Sequence, residues 1–196
     1  MANQPYIVGV AGGTCSGKST LVAELKKRLA SDFSVHSIMM DMFWLSPGPS
    51  VVAPITRAVY KERNHPDALD QERLFAEFDQ ARQSGDYNII FVEGLFALQM
   101  DRIRDTLDVR VFVDLPSDER MYRRIKRWMT YGETMESIVS RYLDTVRFRH
   151  DELVEPSRWH ADVVINGTLD LHHGTDILEC YIRRQVADRG FGQNNI

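Results

Sequence analysis

Residues 6–20 read YIVGVAGGTCSGKST, and this stretch predicts the fold of the 196-residue chain. It opens with an apolar, β-branched run typical of a buried strand and continues into a glycine-rich turn. Apolar residues then recur at helical spacing, which predicts a helix after the turn. The segment Gly12-x-x-x-x-Gly17-Lys18-Ser19 matches the phosphate-binding pattern G-x-x-x-x-G-K-[ST] at every position.

Each residue type in this loop suits the binding of a nucleoside triphosphate. Glycines let backbone N–H groups approach an anion, and a helix beginning near Lys18 directs its positive end at the same anion. Lys18 supplies charge for the outer phosphates, and the Ser19 hydroxyl is placed to ligate Mg²⁺. An ordinary strand–turn–helix corner would need neither the lysine nor so many glycines. The predicted nucleotide-binding residues are Gly12, Gly13, Thr14, Cys15, Ser16, Gly17, Lys18, Ser19 and Thr20.

Composition is typical of a globular protein, with 43% hydrophobic and 27% charged residues. The length favours a single domain over residues 1–196. A net charge of −4 argues against a broad nucleic-acid-binding surface, and no apolar run is long enough to span a membrane. The N-terminus does not resemble a signal peptide, and Cys15 and Cys180 are expected to be free thiols. We therefore expect a cytoplasmic protein.

Strand and helix patterns alternate along the chain, which predicts a doubly wound, mostly parallel α/β sheet of five strands, the P-loop NTPase class. Residues 46–66 contain four prolines and are expected to form a long irregular loop. An arginine-rich helix with Ser117 as its N-cap, and the longer helix that follows and ends before Pro156, are expected to form a lid at about residues 118–150. The other predicted strands are 35–40, 88–94, 109–115 and 161–167, and the other predicted helices are 67–84 and 175–187.

Two acidic residues are expected at the site because they end predicted strands, where ligands bind in open α/β sheets. Asp41 follows the second strand and could act as a general base or a metal ligand, although a turn-capping role is equally compatible with its position. Glu93 ends an apolar central strand and is expected to approach Mg²⁺ through water, the alternative being a strand-end charge that reaches solvent.

The arginine-rich helix carries Arg120, Arg124 and Arg127 on one face. Such a face is often only solvated. In a phosphate-binding fold, however, guanidinium groups on a lid are suited to clamp a phosphoryl group, and we favour this role for Arg124 and Arg127.

Several stretches occur in one order along nearly the whole chain, and together they are far more specific than the phosphate loop alone. On these motifs the chain resembles the uridine kinase and phosphoribulokinase family of P-loop kinases, and most closely the uridine–cytidine kinases. The matching stretches are 9–20, 40–44, 65–70, 91–94, 104–105, 107–108, 111–114, 123–127, 154–156 and 161–165.

The resemblance implies an ATP- and Mg²⁺-dependent kinase that phosphorylates a primary hydroxyl of a small molecule, such as the ribose 5′-hydroxyl of a nucleoside. It implies roles for residues at matching positions. Catalytic roles fall on Asp41, Lys18, Arg124 and Arg127; metal-binding roles on Ser19, Asp41 and Glu93; and acceptor-binding roles on Asn64, His65, Arg124 and Tyr142.

The chain departs from the family pattern on the acceptor side. Asn64 stands where the family usually has an aspartate that binds ribose hydroxyls, and Arg141 stands in place of a glutamine. The hairpin with which uridine kinases hold the base, just before the strand ending in Glu93, is expected to be absent. Tyr131 and Glu133 replace further lid arginines. Nicotinamide riboside or another small alcohol therefore remains an alternative acceptor to uridine.

A nucleotide-dependent regulatory NTPase without a small-molecule acceptor is the competing class. An acidic residue after the second strand and an arginine-rich lid favour the kinase. The Asn-Lys-x-Asp pattern typical of GTP specificity is absent from the sequence, and the intact Gly17-Lys18-Ser19 argues against a dead site. The oligomeric state, including a homo-oligomer, is left open.

Overall fold

The main sheet has five parallel strands, and the computed structural model describes residues 4–168 and 171–191. The order of the strands is β2-β5-β1-β6-β7, so β1 lies at the centre and is paired on both sides. This arrangement confirms the predicted five-stranded α/β fold. The strands are β1 (Tyr6–Gly12), β2 (Val35–Met39), β5 (Ile89–Glu93), β6 (Val109–Asp114) and β7 (Val163–Asn166).

Helices cover both faces of this sheet. Side chains of β1 alternate between two cores: Ile7 and Ala11 face one, and Tyr6, Val8 and Val10 face the other. The helices are α1 (Lys18–Leu29), α2 (Gln71–Gln83), α3 (Asp101–Arg104), α4 (Ser117–Met129), α5 (Met135–Arg141), α6 (Arg147–Arg149) and α7 (His172–Asp188). The first and last of these pack on one face, and the second and third on the other.

A β-hairpin lies within the segment that was predicted to be irregular, so that prediction is wrong for residues 50–61. Strands β3 (Ser50–Val52) and β4 (Val59–Lys61) pair antiparallel and are separate from the main sheet. Between α2 and β5 the chain passes through residues 84–88 without a strand. The family's base-holding hairpin is therefore missing at its expected place, as predicted, while a different hairpin occurs earlier in the chain.

The helical region after α4 is continuous and includes two π-helical segments. These segments, Tyr142–Val146 and His150–Val154, flank α6, and the helix ends before Pro156 as predicted. The predicted N-cap of α4 is wrong, because Pro116 occupies the cap position and no side chain caps the helix. None of the helices in the described ranges is long and apolar enough to cross a membrane.

Candidate active site

A cavity of about 630 Å³ opens at the carboxyl ends of the central strands. Thr14, Asp41 and Leu95, which line it, lie just after β1, β2 and β5. This is where ligands bind in open parallel sheets. The other lining residues are Cys15, Lys18, Ser19, Trp44, Val59, Tyr60, Lys61, Arg63, Asn64, Arg124, Arg127, Trp128, Glu133 and Arg141.

The phosphate loop has the backbone geometry that its glycines predict. Gly17 precedes the helix with a φ of 105°, a left-handed value that strains any side chain. A Cβ on Gly13 would lie 2.7 Å from the Arg120 guanidinium, so the loop packs directly against that side chain. Helix α1 begins at Lys18, which leaves its unpaired N–H groups directed at the loop.

Two of the predicted metal-site residues are in contact. The Ser19 hydroxyl donates a hydrogen bond of 3.0 Å to Glu93 Oε2. Glu93 is only 5% exposed, and this burial raises the pKa of its carboxyl group, while the positive charge of Lys18 and the hydrogen bond from Ser19 oppose the rise. The charge of Asp41 raises the pKa of Glu93 further, so the two carboxylates are close enough to interact.

These oxygen ligands suit Mg²⁺, which prefers carboxylates, phosphates and water. Within the described ranges, no group of three His, Cys, Asp or Glu side chains could hold a metal ion by itself. A cation at Ser19 and Glu93 would therefore depend on phosphate oxygens as well, which is usual for Mg²⁺ bound with a nucleotide.

Asp41 is exposed and belongs to the short 3₁₀ turn Met40–Phe43 that follows β2. This turn places it in the wall of the cavity together with Lys18, Ser19 and Asn64. A carboxylate that faces solvent at this place can accept a proton from a hydroxyl group bound in the cavity.

The three arginines of α4 differ in their surroundings. Arg124 is 6% exposed and donates a hydrogen bond of 3.0 Å from Nη1 to Thr14 Oγ1, while its Nε has no partner among the described residues. Burial lowers the pKa of Arg124. Arg127 is exposed and lines the cavity, and a hydrogen bond with Tyr131 raises its pKa. Arg120 instead donates to the Leu115 carbonyl at 3.0 Å and does not line the cavity.

Of the predicted acceptor-binding residues, Asn64 and Arg124 line the cavity, but His65 and Tyr142 do not. His65 caps the turn that follows it, because its Nδ1 accepts a hydrogen bond from the Asp67 backbone at 3.2 Å. Tyr142 is buried, and its hydroxyl lies 3.4 Å from the Ser117 carbonyl oxygen. Both residues are therefore placed to support neighbouring backbone.

The far wall of the cavity contains residues that sequence reasoning missed. Tyr60, Lys61 and Arg63 come from the β3–β4 hairpin and the residues just after it. Arg141, which also lines the cavity, forms an ion pair of 2.7 Å with Glu133. In the sequence, residues 59–63 do not alternate between apolar and polar side chains, so no periodicity predicts a strand here.

Two further cavities adjoin the phosphate loop. A cavity of about 220 Å³ is lined by Cys15, Gly17, Lys18, Ser19, Thr20, Arg123 and Arg127. A larger one of about 710 Å³ shares Ser19, Thr20 and Arg127 and extends to Thr175 of α7.

Comparison with known proteins agrees with this geometry. Residues 60–171 match the model of the phosphoribulokinase/uridine kinase family. The chain belongs to this family. A uridine kinase of Staphylococcus epidermidis is 32% identical, over 83% of this chain and 88% of the relative. A uridine kinase of Brevibacillus brevis is 33% identical, over 82% and 84%, and one of Bacillus pumilus is 26% identical, over 96% and 99%.

Solved structures support the fold. A structure from Silicibacter sp. TM1040, assigned to a fructose transport system kinase, superposes with a TM-score of 0.65 at 19% identity, over 82% of this chain and 89% of that one. At that identity the likeness shows the fold alone. Membership of the phosphoribulokinase/uridine kinase family confirms the predicted resemblance and the kinase class.

Proposed function

We propose that the protein transfers the γ-phosphoryl group of ATP to a primary hydroxyl of a small molecule, with the ribose 5′-hydroxyl of a riboside as the leading acceptor. One observation carries the proposal: the phosphate-binding Lys18 and the exposed carboxylate of Asp41 line the same cavity. A nucleotide on the loop and an alcohol beside Asp41 would therefore face each other across a short distance.

The nucleotide side provides the electrostatic part of the reaction. Lys18, Arg127 and the N-terminus of α1 would bind the phosphates, and Arg123 lines the same end of the site. Ser19, Asp41 and Glu93 would hold Mg²⁺, which supplies positive charge to the β- and γ-phosphate oxygens when it is bound.

The acceptor side provides the proton acceptor. Asp41 would take the proton of the attacking hydroxyl as the new P–O bond forms and the bond to the leaving ADP oxygen breaks. Lys18, Arg124 and Arg127 would stabilise the charge that spreads over the transferred group. Catalysis would then depend on positioning and fixed charge.

The remaining predictions complete the proposal. Residues of about 118–150 would act as a lid in a single domain over residues 1–196, with His65 and Tyr142 supporting the acceptor side from behind the cavity wall.

Asn64 would accept a hydrogen bond from a ribose hydroxyl. The relatives named uridine kinase favour a riboside, while the altered acceptor wall keeps nicotinamide riboside and other small alcohols as alternatives. A cytoplasmic location is part of the same proposal.

The test is a panel of nucleosides and ribosides assayed for acceptor-dependent ADP formation and for the phosphorylated product. We expect at least one acceptor to be phosphorylated by the wild-type protein. Lys18→Ala should lower the rate by about 10²–10³, the usual cost of removing one preorganised donor. A regulatory NTPase would instead hydrolyse ATP at a rate that no acceptor changes. Near-wild-type transfer by folded Lys18→Ala would also contradict the assignment.

A further inference from the structure

The β3–β4 hairpin is attached to the helical region and also borders the main cavity. Tyr60 donates a hydrogen bond of 2.7 Å to Asp144, and Glu62 accepts one of 3.0 Å from Arg149, so these alternate residues attach the hairpin to the helix behind it. The residues between and after them, Lys61 and Arg63, line the cavity. Tyr60 lines the cavity as well, so the hydrogen bonds to Asp144 and Arg149 hold the backbone on both sides of Lys61 in place at the cavity wall.

The charges of Lys61 and Arg63 are not balanced locally. Neither has a carboxylate within ion-pair distance in the part of the chain that the structure describes. By contrast, Arg141 of the same cavity is paired with Glu133, and Arg149 behind the hairpin is paired with Glu62. The hairpin therefore adds two unpaired positive charges to the wall of the cavity.

These two charges are separate from the nucleotide side. The cavity at the phosphate end is lined by Lys18, Arg123 and Arg127, and neither Lys61 nor Arg63 contributes to it. The phosphates of ATP thus have cations of their own. What remains for Lys61 and Arg63 is the space beside Asp41 and Asn64, where the acceptor would bind.

The main cavity as a whole has a strong excess of positive charge. Its lining contains six basic side chains and two acidic ones, and one of the acidic ones, Glu133, is already paired. Arg124 adds to the excess, because it is 6% exposed and has no carboxylate partner in the described residues. In the proposed function the transferred phosphoryl group offsets the cost of burying this guanidinium, so Lys61 and Arg63 are the cations that remain for the acceptor.

We propose that Lys61 and Arg63 form a binding site for an anionic group on the acceptor, so that the preferred substrate is an alcohol that carries a carboxylate or phosphate group in addition to the hydroxyl that is phosphorylated. This inference rests on the proposed kinase function and specifies its acceptor. A neutral nucleoside leaves both cations without a partner. An acceptor that carries a carboxylate or phosphate group would pair with them while its hydroxyl reaches Asp41.

The test compares acceptors that differ only in this charge. Orotidine against uridine tests a carboxylate, and cytidine 3′-monophosphate against cytidine tests a phosphate. Each has a free 5′-hydroxyl. For at least one pair we expect the anionic member to have the higher kcat/KM, by about tenfold or more, which is the scale of one charge-assisted hydrogen bond. The pair that shows the preference identifies the anionic group.

Variants then locate the effect. Arg63→Gln and Lys61→Gln should each lower kcat/KM for the anionic acceptor by about ten- to a hundredfold, chiefly through KM, and should change the neutral member little. Arg57→Gln is the matched control, because it removes one positive charge from the exposed turn of the same hairpin and does not line the cavity. The preference for the anionic acceptor should also weaken at high salt.

Two results would overturn the inference. One leaves the proposed kinase function intact, and the other does not. If a neutral acceptor is phosphorylated at least as well as its anionic partner in every pair, and Arg63→Gln has no larger effect than Arg57→Gln, the kinase stands without the anion site. If no acceptor of either kind supports product formation, the proposed kinase function fails and the acceptor inference fails with it.

Discussion

The two walls of the main cavity are built in different ways. The wall at the phosphate loop, which we call the nucleotide wall, is built mainly from one continuous stretch, residues 12–20, and much of its chemistry resides in backbone N–H groups and a helix terminus. The proposed acceptor wall is assembled from side chains of the β3–β4 hairpin and of α4 and α5, which are far from the hairpin in sequence. A backbone wall can recognise any triphosphate, whereas a side-chain wall can change its ligand with a few substitutions. On the proposed function, the specificity of this chain resides in the side-chain wall.

The largest effect is expected at Asp41, which we place between the two walls. If Asp41 accepts the proton, Asp41→Asn removes that ability and nearly preserves the shape. We expect kcat to fall by about 10²–10⁴, the usual contribution of a positioned acid or base. Steady-state kinetics with a saturating acceptor would measure the change, with acceptor binding followed by calorimetry. An unchanged kcat would limit Asp41 to a role in metal placement or turn structure.

The hydrogen bonds that attach the hairpin to Asp144 allow a test of whether the acceptor wall must be rigid. Asp144 is buried and its Oδ2 accepts hydrogen bonds of 2.8 Å from Thr56 and 2.7 Å from Tyr60. Asp144→Ala should release the hairpin and raise the KM for the acceptor by about tenfold, with a smaller effect on kcat. The KM for ATP should not change, because the nucleotide wall does not depend on the hairpin.

Glu136→Ala serves as the control for Asp144, since it removes an exposed acid from the same helical region. Tyr60→Phe, which removes one of the two donors, should reproduce part of the effect. If Asp144→Ala lowers the thermal stability but leaves the acceptor KM at the wild-type value, the contact is structural and does not position the site.

Asn64 offers a smaller and more local test of the acceptor wall. Its proposed role is to bind a ribose hydroxyl through a neutral hydrogen bond, which contributes about 0.5–1.5 kcal/mol. Asn64→Ala should therefore raise the acceptor KM by about two- to tenfold and affect kcat less. Asn64→Asp, which restores the family's usual residue, should be tolerated. An unchanged KM for every acceptor would argue against a riboside.

The weakest expected effect concerns the pH dependence of stability behind the acceptor wall. His150 is 8% exposed; burial and the nearby charge of Arg120 lower its pKa to about 4. The carboxylates of Asp151 and Asp114 oppose this shift, and Glu155 lies 3.3 Å from Nε2. The Nδ1 atom has no partner among the described residues, so a second ring proton would be buried without an acceptor.

The direction in which stability changes with pH follows from the difference in proton binding between the folded and the unfolded chain. The unfolded chain binds a proton at His150 near its usual pKa of about 6.5, whereas the folded chain binds it only near 4, so stability is lost as the pH falls between these values. Urea unfolding at pH 7.5 and 5 should show a smaller loss of free energy of unfolding in His150→Asn than in the wild type. His173→Asn, at an exposed histidine, is the control. Equal losses in all three proteins would contradict the prediction.

The sequence predicted the nucleotide wall because its geometry depends on local residues. Gly17 and Lys18 specify the turn and the helix start without help from the rest of the chain. The sheet followed from the alternation of apolar strands with helices. Asp41 and Glu93 could be placed at the site because they lie at the ends of strands, and the carboxyl ends of parallel strands share one edge of the sheet.

The acceptor wall could not be predicted in the same way. The strands Ser50–Val52 and Val59–Lys61 are only three residues long and lie among prolines, so their periodicity is too short to recognise. Their position depends on Asp144, more than eighty residues later in the chain, because Tyr60 and Asp144 are separated by 84 residues. Such a contact leaves no local pattern. His65 and Tyr142, which were assigned through the resemblance, lie outside the lining of the cavity.

The strand order also has a consequence for how the chain is made. Strands β1 and β2 are not neighbours, because β5 lies between them and pairs with both. A chain that has emerged from the ribosome only as far as residue 84 therefore has no partner strand for either, although every residue of Tyr6–Gly12 is destined for the interior. Until β5 inserts, this apolar strand is exposed, and such unpaired strands are prone to aggregate. The segment whose structure is most evident from the sequence therefore stays unpaired until β5, near the middle of the chain, has been made.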